Sequence, residues 1–262
     1  MKKIELVNYL NHLYPFEHAE AWDQCSYDLD QNIDGEITNV LVALDLNKLS
    51  LKMALENNCN VIVTHHPLFK NNVENPDDYV MNVVNVELFN ALQENQILHI
   101  ALHTCFDMDL QGTSYQIFKK YLSPIAKLDE EITKTSQFLV YGTLNEPMKL
   151  EQFIDYLVEH KCFNSRRYLQ VQNKQAVSTF AIGAGSCSSM MNEVLSHKTQ
   201  MFLTGDVKWH GFQDGLNANL CMVDIGHDAE QVFVDVIYNK LREWNTELPI
   251  YKVFNLGYIK ER

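Results

Sequence analysis

The sequence predicts an α/β fold with two domains built around mostly parallel or mixed sheets, and three observations predict it. Short apolar runs alternate with longer amphipathic stretches along the first half of the chain. The runs are almost unbroken in Val, Ile and Leu, the pattern of strands covered on both faces. At 262 residues the chain has room for two domains of roughly 100–150 residues, each able to bury a core.

The elements follow in order. Val40 to Leu44 reads as a buried strand and Lys48 to Asn57 as a helix. Asn60 to Thr64 is a second strand, Val83 to Glu94 carries apolar residues at helical spacing, and Ile97 to Leu102 is a third strand. Lys127 to Lys134 is polar and patternless, a crossing between domains. Beyond it, Phe138 to Leu144 reads as a strand and Leu150 to His160 as a helix. Tyr168 to Val171 and Thr179 to Ile182 read as further strands. Gly183-Ala184-Gly185-Ser186 makes a glycine turn into a helix; Gln200 to Leu203 is a strand and Val207 to Asn217 a helix. Leu220 to Asp224 is the last predicted strand, before a long helix from His227 to Glu243.

Composition narrows the function classes. Thirty-four acidic residues against 21 basic ones leave a net charge of −13, which repels phosphate backbones and disfavours nucleic acid as a main partner. No run approaches the roughly 18–20 apolar residues of a membrane span. The start, Met1-Lys2-Lys3-Ile4-Glu5, meets charge at once, so a cytoplasmic protein is expected. The six cysteines, at 25, 59, 105, 162, 187 and 221, are scattered singly, which fits reduced thiols rather than a disulfide framework or a zinc ribbon.

Residues able to do chemistry gather at the carboxyl ends of the predicted strands, the edge where ligands bind in open parallel sheets. His65-His66-Pro67 follows one strand, His103 and Asp107 follow another, and His227 and Glu230 follow the last and open a helix. Imidazole and carboxylate donors suit Zn²⁺, Mn²⁺, Fe²⁺ or Ni²⁺ without thiolates. A carboxylate three residues past His227 shares its helix face and is placed to bridge two ions about 3.5–4 Å apart. Taken singly, the histidines read as hydrogen-bonded structural residues, Asp107 as a helix cap and Glu230 as first-turn dipole compensation. Their coincidence at strand ends favours a metal site.

The same stretches carry a resemblance. Ala21-Trp22-Asp23, Val63-Thr64-His65-His66-Pro67-Leu68-Phe69, His103-Thr104-Cys105-Phe106-Asp107, the run Phe180 to Ser189, Thr204 to His210, and Asp224 to Glu230 resemble, in order and spacing, the Nif-three-like proteins. These are catalogued as GTP cyclohydrolase I type 2 homologues. The resemblance implies a second domain, 127–218, inserted into a first one formed by 1–126 and 219–262. It implies two divalent metal ions per chain, held by His65, His66, Asp107, His227 and the acid after it, and a ring-shaped homohexamer. Two departures matter. Cys105 and Phe106 replace the middle pair of a His-Thr-Asn-Leu-Asp stretch. The last acid commonly lies four residues after the histidine, where this chain has Gln231, so Glu230, at the spacing other members use, takes the role.

Asp206, Lys208 and His210 read either as substrate contacts and braces for the ligands or as a capped helix start with Asp206 as N-cap. The Gly183-to-Ser189 stretch reads either as a phosphate cradle or as a tight turn. The functional expectation is a metal-dependent hydrolase acting on a nucleotide or other small phosphoester, with His103 and His210 as acid or base. The alternative is a non-catalytic hexameric metal-binding scaffold, regulatory or metal-carrying.

Overall fold

The computed structural model describes residues 1–27, 33–71, 79–80, 83–160, 167–171 and 176–254. The chain divides into two units: Met1–Asp109 with the return from Phe233, and Leu110–Val232 inserted between them. Among the described residues, no helix is long and apolar enough to cross a membrane.

The first unit is built on a five-stranded sheet in the order Ser26–Tyr27, Leu98–Ala101, Val61–Thr64, Val40–Ala43, Ile250–Val253. The last four strands run parallel, and Ser26–Tyr27 pairs antiparallel at the edge. Helices cover both faces, as the unbroken apolar strands require. On one face Val40, Val42, Val61, Val63, Leu98 and Ile100 meet Leu6 and Leu10 of the Lys3–Leu13 helix and Phe233, Ile237 and Leu241 of the Val232–Trp244 helix. On the other, Leu41, Ala43 and Ile62 meet Ala54 and Leu92 of the helices Lys48–Glu56 and Val83–Glu94. The Lys48–Glu56 helix starts where Asn47 Oδ1 accepts from the amides of Leu49 and Ser50 at 2.9 and 3.0 Å.

The second unit carries a mixed six-stranded sheet in the order Ala126–Leu128, Leu139–Met148, Val177–Gly183, Met201–Thr204, Cys221–Asp224, Arg167–Leu169. Val177–Gly183, Met201–Thr204 and Cys221–Asp224 are parallel. Alternate residues feed two apolar layers: Phe180, Ile182, Leu203 and Val223 pack with Phe153 and Leu157, while Ala181, Phe202 and Met222 pack with Val194 and Val207.

Three expectations are corrected here. Lys127 to Lys134 is no open crossing: it holds the edge strand Ala126–Leu128 and the short helix Glu130–Thr133, capped by Asp129 Oδ1 on the Ile132 amide at 3.1 Å. An edge strand needs few apolar residues, which is why its pattern is faint. Cys221–Asp224 pairs with Met201–Thr204 in the second unit's sheet. The unit borders therefore fall at 109/110 and 232/233 instead of 126/127 and 218/219, and His227 and Glu230 belong to the inserted unit. Finally, the expected helix from His227 begins as a 3₁₀ segment, His227–Gln231, before the α-helix Val232–Trp244.

Candidate metal centre

Register places the donors of the first unit. Thr64 pairs with Ala101 across two parallel strands. The chain segments His65-His66 and Leu102-His103 therefore leave the sheet level with each other. The amides of His65 and His66 both donate to Leu44 O, at 3.1 and 3.0 Å, and this turns the chain sharply after Thr64.

Each imidazole in this set has its Nδ1 engaged. His65, fully buried, donates from Nδ1 to Leu102 O at 2.9 Å; a carbonyl only accepts, so Nε2 keeps the lone pair. His65 Nε2 lies 3.6 Å from Asp107 Oδ1. His66 Nδ1 lies 2.7 Å from Asp45 Oδ1, and His103 Nδ1 lies 2.8 Å from Asp23 Oδ1, so carboxylates assign the same tautomer to both. The three rings offer nitrogen atoms within 4.8 Å of one another. Asp107 ends the short helix Thr104–Asp107 that His103 opens.

Two further groups brace this set. Thr64 Oγ1 donates to His66 O at 2.7 Å and accepts from His99 Nε2 at 2.7 Å. His99 is buried within its strand, and burial pushes its pKa down to about 4, so it stays neutral at pH 7. Asp23 is buried beside His103. Burial alone raises its pKa, but the hydrogen bond and charge of His103, together with two hydrogen bonds from Thr104, outweigh this. They hold the carboxyl well below the usual carboxylate range.

In the second unit, Gly183 pairs with Thr204 and Thr204 with Asp224, so three loops leave the sheet at one level. Backbones meet there: a Cβ on Gly205 would lie 2.8 Å from the carbonyl of Gly226. His227 Nδ1 lies 2.7 Å from Asp206 Oδ2, and its Nε2 lies 3.1 Å from Glu230 Oε2. In a 3₁₀ turn side chains three apart eclipse, so Glu230 stands over His227 while Gln231 is rotated away by roughly a third of a turn. The Gln231 side chain is buried, and its Oε1 has no hydrogen-bond partner among the described residues. Gly185 makes room for the Glu230 carboxylate: a Cβ there would come 2.3 Å from Oε1, and its φ of +60° suits glycine.

The alternatives left by the sequence are resolved accordingly. Asp206 does not cap the helix Trp209–Asn217, whose N-cap is Lys208; it braces His227 instead. Lys208 and His210 are exposed at that helix start. In the glycine stretch, the Ala184 amide donates to Ser114 Oγ and the Cys187 amide to Thr204 Oγ1, both at 3.0 Å, which supports the tight turn. Asp224 shapes the turn into His227: its Oδ1 accepts from the Gly226 amide at 3.1 Å, and its Oδ2 pairs with Arg167, which also donates to Val207 O at 3.0 Å.

Sequence reasoning missed Asp45, His99 and the roles of Asp23 and Asp224. Asp45 had a usable signal, since it follows the Val40–Ala43 strand just as His65 follows the next. His99, inside a strand, had none.

The donor sets fit a divalent cation. Both nitrogens of His227 face carboxylate oxygens, and a neutral ring has one N–H, so either a second ring proton or a bound cation satisfies the other contact. A fixed Nδ1–H with a bare Nε2 is the usual state of a metal-ligating histidine. Fold and donors together define a two-unit α/β protein with His, Asp and Glu groups able to hold a metal. More particularly, the profile of the Duf34/NIF3 (NGG1p interacting factor 3) family matches residues 1–255, and the chain belongs to that family. It is 30% identical over 263 residues to a GTP cyclohydrolase 1 type 2 homolog of Ureaplasma parvum, covering 97% of each chain. It is 32% identical over 238 residues to one of Mycoplasmopsis pulmonis, covering 87% of this chain and 88% of the relative. In fold it matches Staphylococcus aureus protein SA1388, with a TM-score of 0.82 at 22% identity over 100% of this chain and 99% of that one.

Proposed function

We propose that this chain binds two divalent metal ions through His65, His66, Asp107, His227 and Glu230 and hydrolyses a nucleotide or other small phosphoester. One observation carries the reading: His65, His66, His103 and His227 each hold Nδ1 against an oxygen, the arrangement that orients a metal-ligating imidazole. Glu230 is the proposed bridging carboxylate, because the 3₁₀ turn eclipses it with His227. Ions bound there would polarise a phosphoryl or carbonyl oxygen and bring the pKa of water toward 7. His103 and His210 are the imidazoles proposed for proton handling. The nucleotide comes from the name borne by the Ureaplasma and Mycoplasmopsis relatives.

A homohexameric ring is the assembly proposed on the resemblance, and light scattering in solution tests it. A cytoplasmic location is proposed from the acidic chain and the free thiols of Cys25, Cys59, Cys105, Cys187 and Cys221; Cys162 lies outside the described residues.

The deciding experiment measures metal per chain and turnover on the same preparations. Protein purified without added metal is expected to hold about two ions, falling to one or none in Glu230→Gln. With Mn²⁺ or Zn²⁺, GTP or a member of a phosphoester panel is expected to turn over. No turnover above a His65→Ala, Asp107→Ala control rejects the hydrolase and leaves a metal-binding scaffold.

A further inference from the structure

We infer that Asp23 is a positioning residue for His103, and that the segment from Glu20 to Cys25 is a clamp committing this imidazole to one tautomer and one orientation. The inference deepens the proposed function, since it concerns an imidazole of the same site.

The side chain of Asp23 is only 1% exposed. A buried carboxylate is costly unless hydrogen-bonded, and this one is directed largely at one short stretch. Its Oδ1 accepts from His103 Nδ1 at 2.8 Å and from the Gln24 amide at 2.9 Å. Its Oδ2 accepts from the Thr104 amide at 2.9 Å and from Thr104 Oγ1 at 2.6 Å. The neighbours of Asp23 converge on the same residues. The Glu20 amide donates to Thr104 Oγ1 at 2.9 Å, and Cys25 Sγ accepts from the amides of His103 and Cys105 at 3.3 and 3.4 Å. Trp22 meets the His103 ring edge-on, with centroids 5.8 Å apart.

These contacts remove the freedom of His103. Rotating its ring by half a turn would put a C–H against the carboxylate in place of Nδ1–H. Moving the proton to Nε2 would set a lone pair against a buried anion. What remains is a bare Nε2 on a ring whose neighbours are His65 and His66, at centroid distances of 5.1 and 5.4 Å. Asp23 thereby makes His103 a hydrogen-bond acceptor for a water or substrate O–H arriving at those histidines, and an anion suits a ring that takes on positive character. The Ala21-Trp22-Asp23 motif acquires a role on this account.

The test reads the tautomer directly, by solid-state ¹⁵N NMR on histidine-labelled, metal-free protein at about pH 8. A His103→Gln sample identifies the His103 resonances. Wild type is expected to carry the His103 proton on Nδ1. In Asp23→Asn the side chain cannot accept on both sides, so a second population with the proton on Nε2 is expected. Thr104→Val, which loosens the same turn but leaves the carboxylate, is expected to keep the wild-type tautomer. A wild-type proton on Nε2 would overturn the inference, and this needs no variant to fold. So would an unchanged tautomer in Asp23→Asn, or a switch of equal size in Thr104→Val. Neither metal nor substrate is present, so these outcomes are independent of whether the chain proves to be a hydrolase.

Discussion

In the first unit the imidazoles of the candidate site are enclosed; in the second the imidazole lies nearer the surface, beside a buried carboxylate. His65 is fully buried, and the side chains of His66 and His103 are 20% and 16% exposed, while the carboxylates beside them range from Asp23 at 1% through Asp107 at 15% to Asp45 at 41%. In the second unit the His227 side chain is 41% exposed, while Glu230 is 4% exposed and lies in the space that Gly185 leaves open. Packing therefore positions the histidines of one unit and the carboxylate of the other. The common element is the hydrogen bond on Nδ1, which orients an imidazole whether or not it is buried.

Four substitutions or conditions test that contrast, from the largest effect to the smallest. His65→Ala removes the most enclosed donor, and metal affinity measured by titration calorimetry is expected to fall by more than about 100-fold, beyond the usual loss for a bracing partner. An equal affinity in the variant would remove His65 from the site.

Acid comes next, acting on the first unit through His99. The unfolded chain protonates this imidazole near 6.5 and the folded chain only near 4, so between these values the proton favours unfolding. Its contribution is constant above pH 6.5, falls as the pH drops toward 4, and then levels off. The total loss is on the order of 3 kcal/mol. Urea melts at a series of pH values are expected to show this slope in wild type and a flatter one in His99→Leu. Identical slopes would remove His99 as the cause.

Gly185→Ala tests the second unit. The added Cβ meets Glu230 Oε1 and forces a left-handed backbone on alanine, so a stability loss of about 1–3 kcal/mol is expected, together with weaker metal retention. A neutral result by thermal melting would show that Glu230 does not need that space. The smallest effect is expected for Asp206→Ala, where an exposed partner is lost from an exposed histidine. Metal affinity should fall by about 10-fold, at the low end for such partners. A loss as large as that of His65→Ala would reverse the contrast between the units.

Much of this site was legible because its signals are local. Val61–Thr64 and Leu98–Ala101 announce themselves by unbroken apolar residues, and His65, His66 and His103 follow those strands directly. The resemblance singled out Asp107, whose isolated reading was only a helix cap. Other features were hidden for a physical reason: they depend on which segments meet. Asp23 and His103 are 80 residues apart, and Asp206 and His227 are 21 apart, with nothing in either local pattern to pair them.

The sequence by itself determined the alternation of strands and helices, the candidate donors at the strand ends and the family, because apolar periodicity and motif order are written along the chain. Tertiary structure decided that Cys221–Asp224 joins the inserted unit's sheet, since strand pairing is chosen by hydrogen-bond register and by the two apolar layers it completes. It also set where Glu230 and Gln231 stand relative to His227. On an α-helix both positions face His227, whereas the 3₁₀ turn formed here brings only Glu230 over the ring, into the space left by a glycine more than 40 residues earlier in the chain.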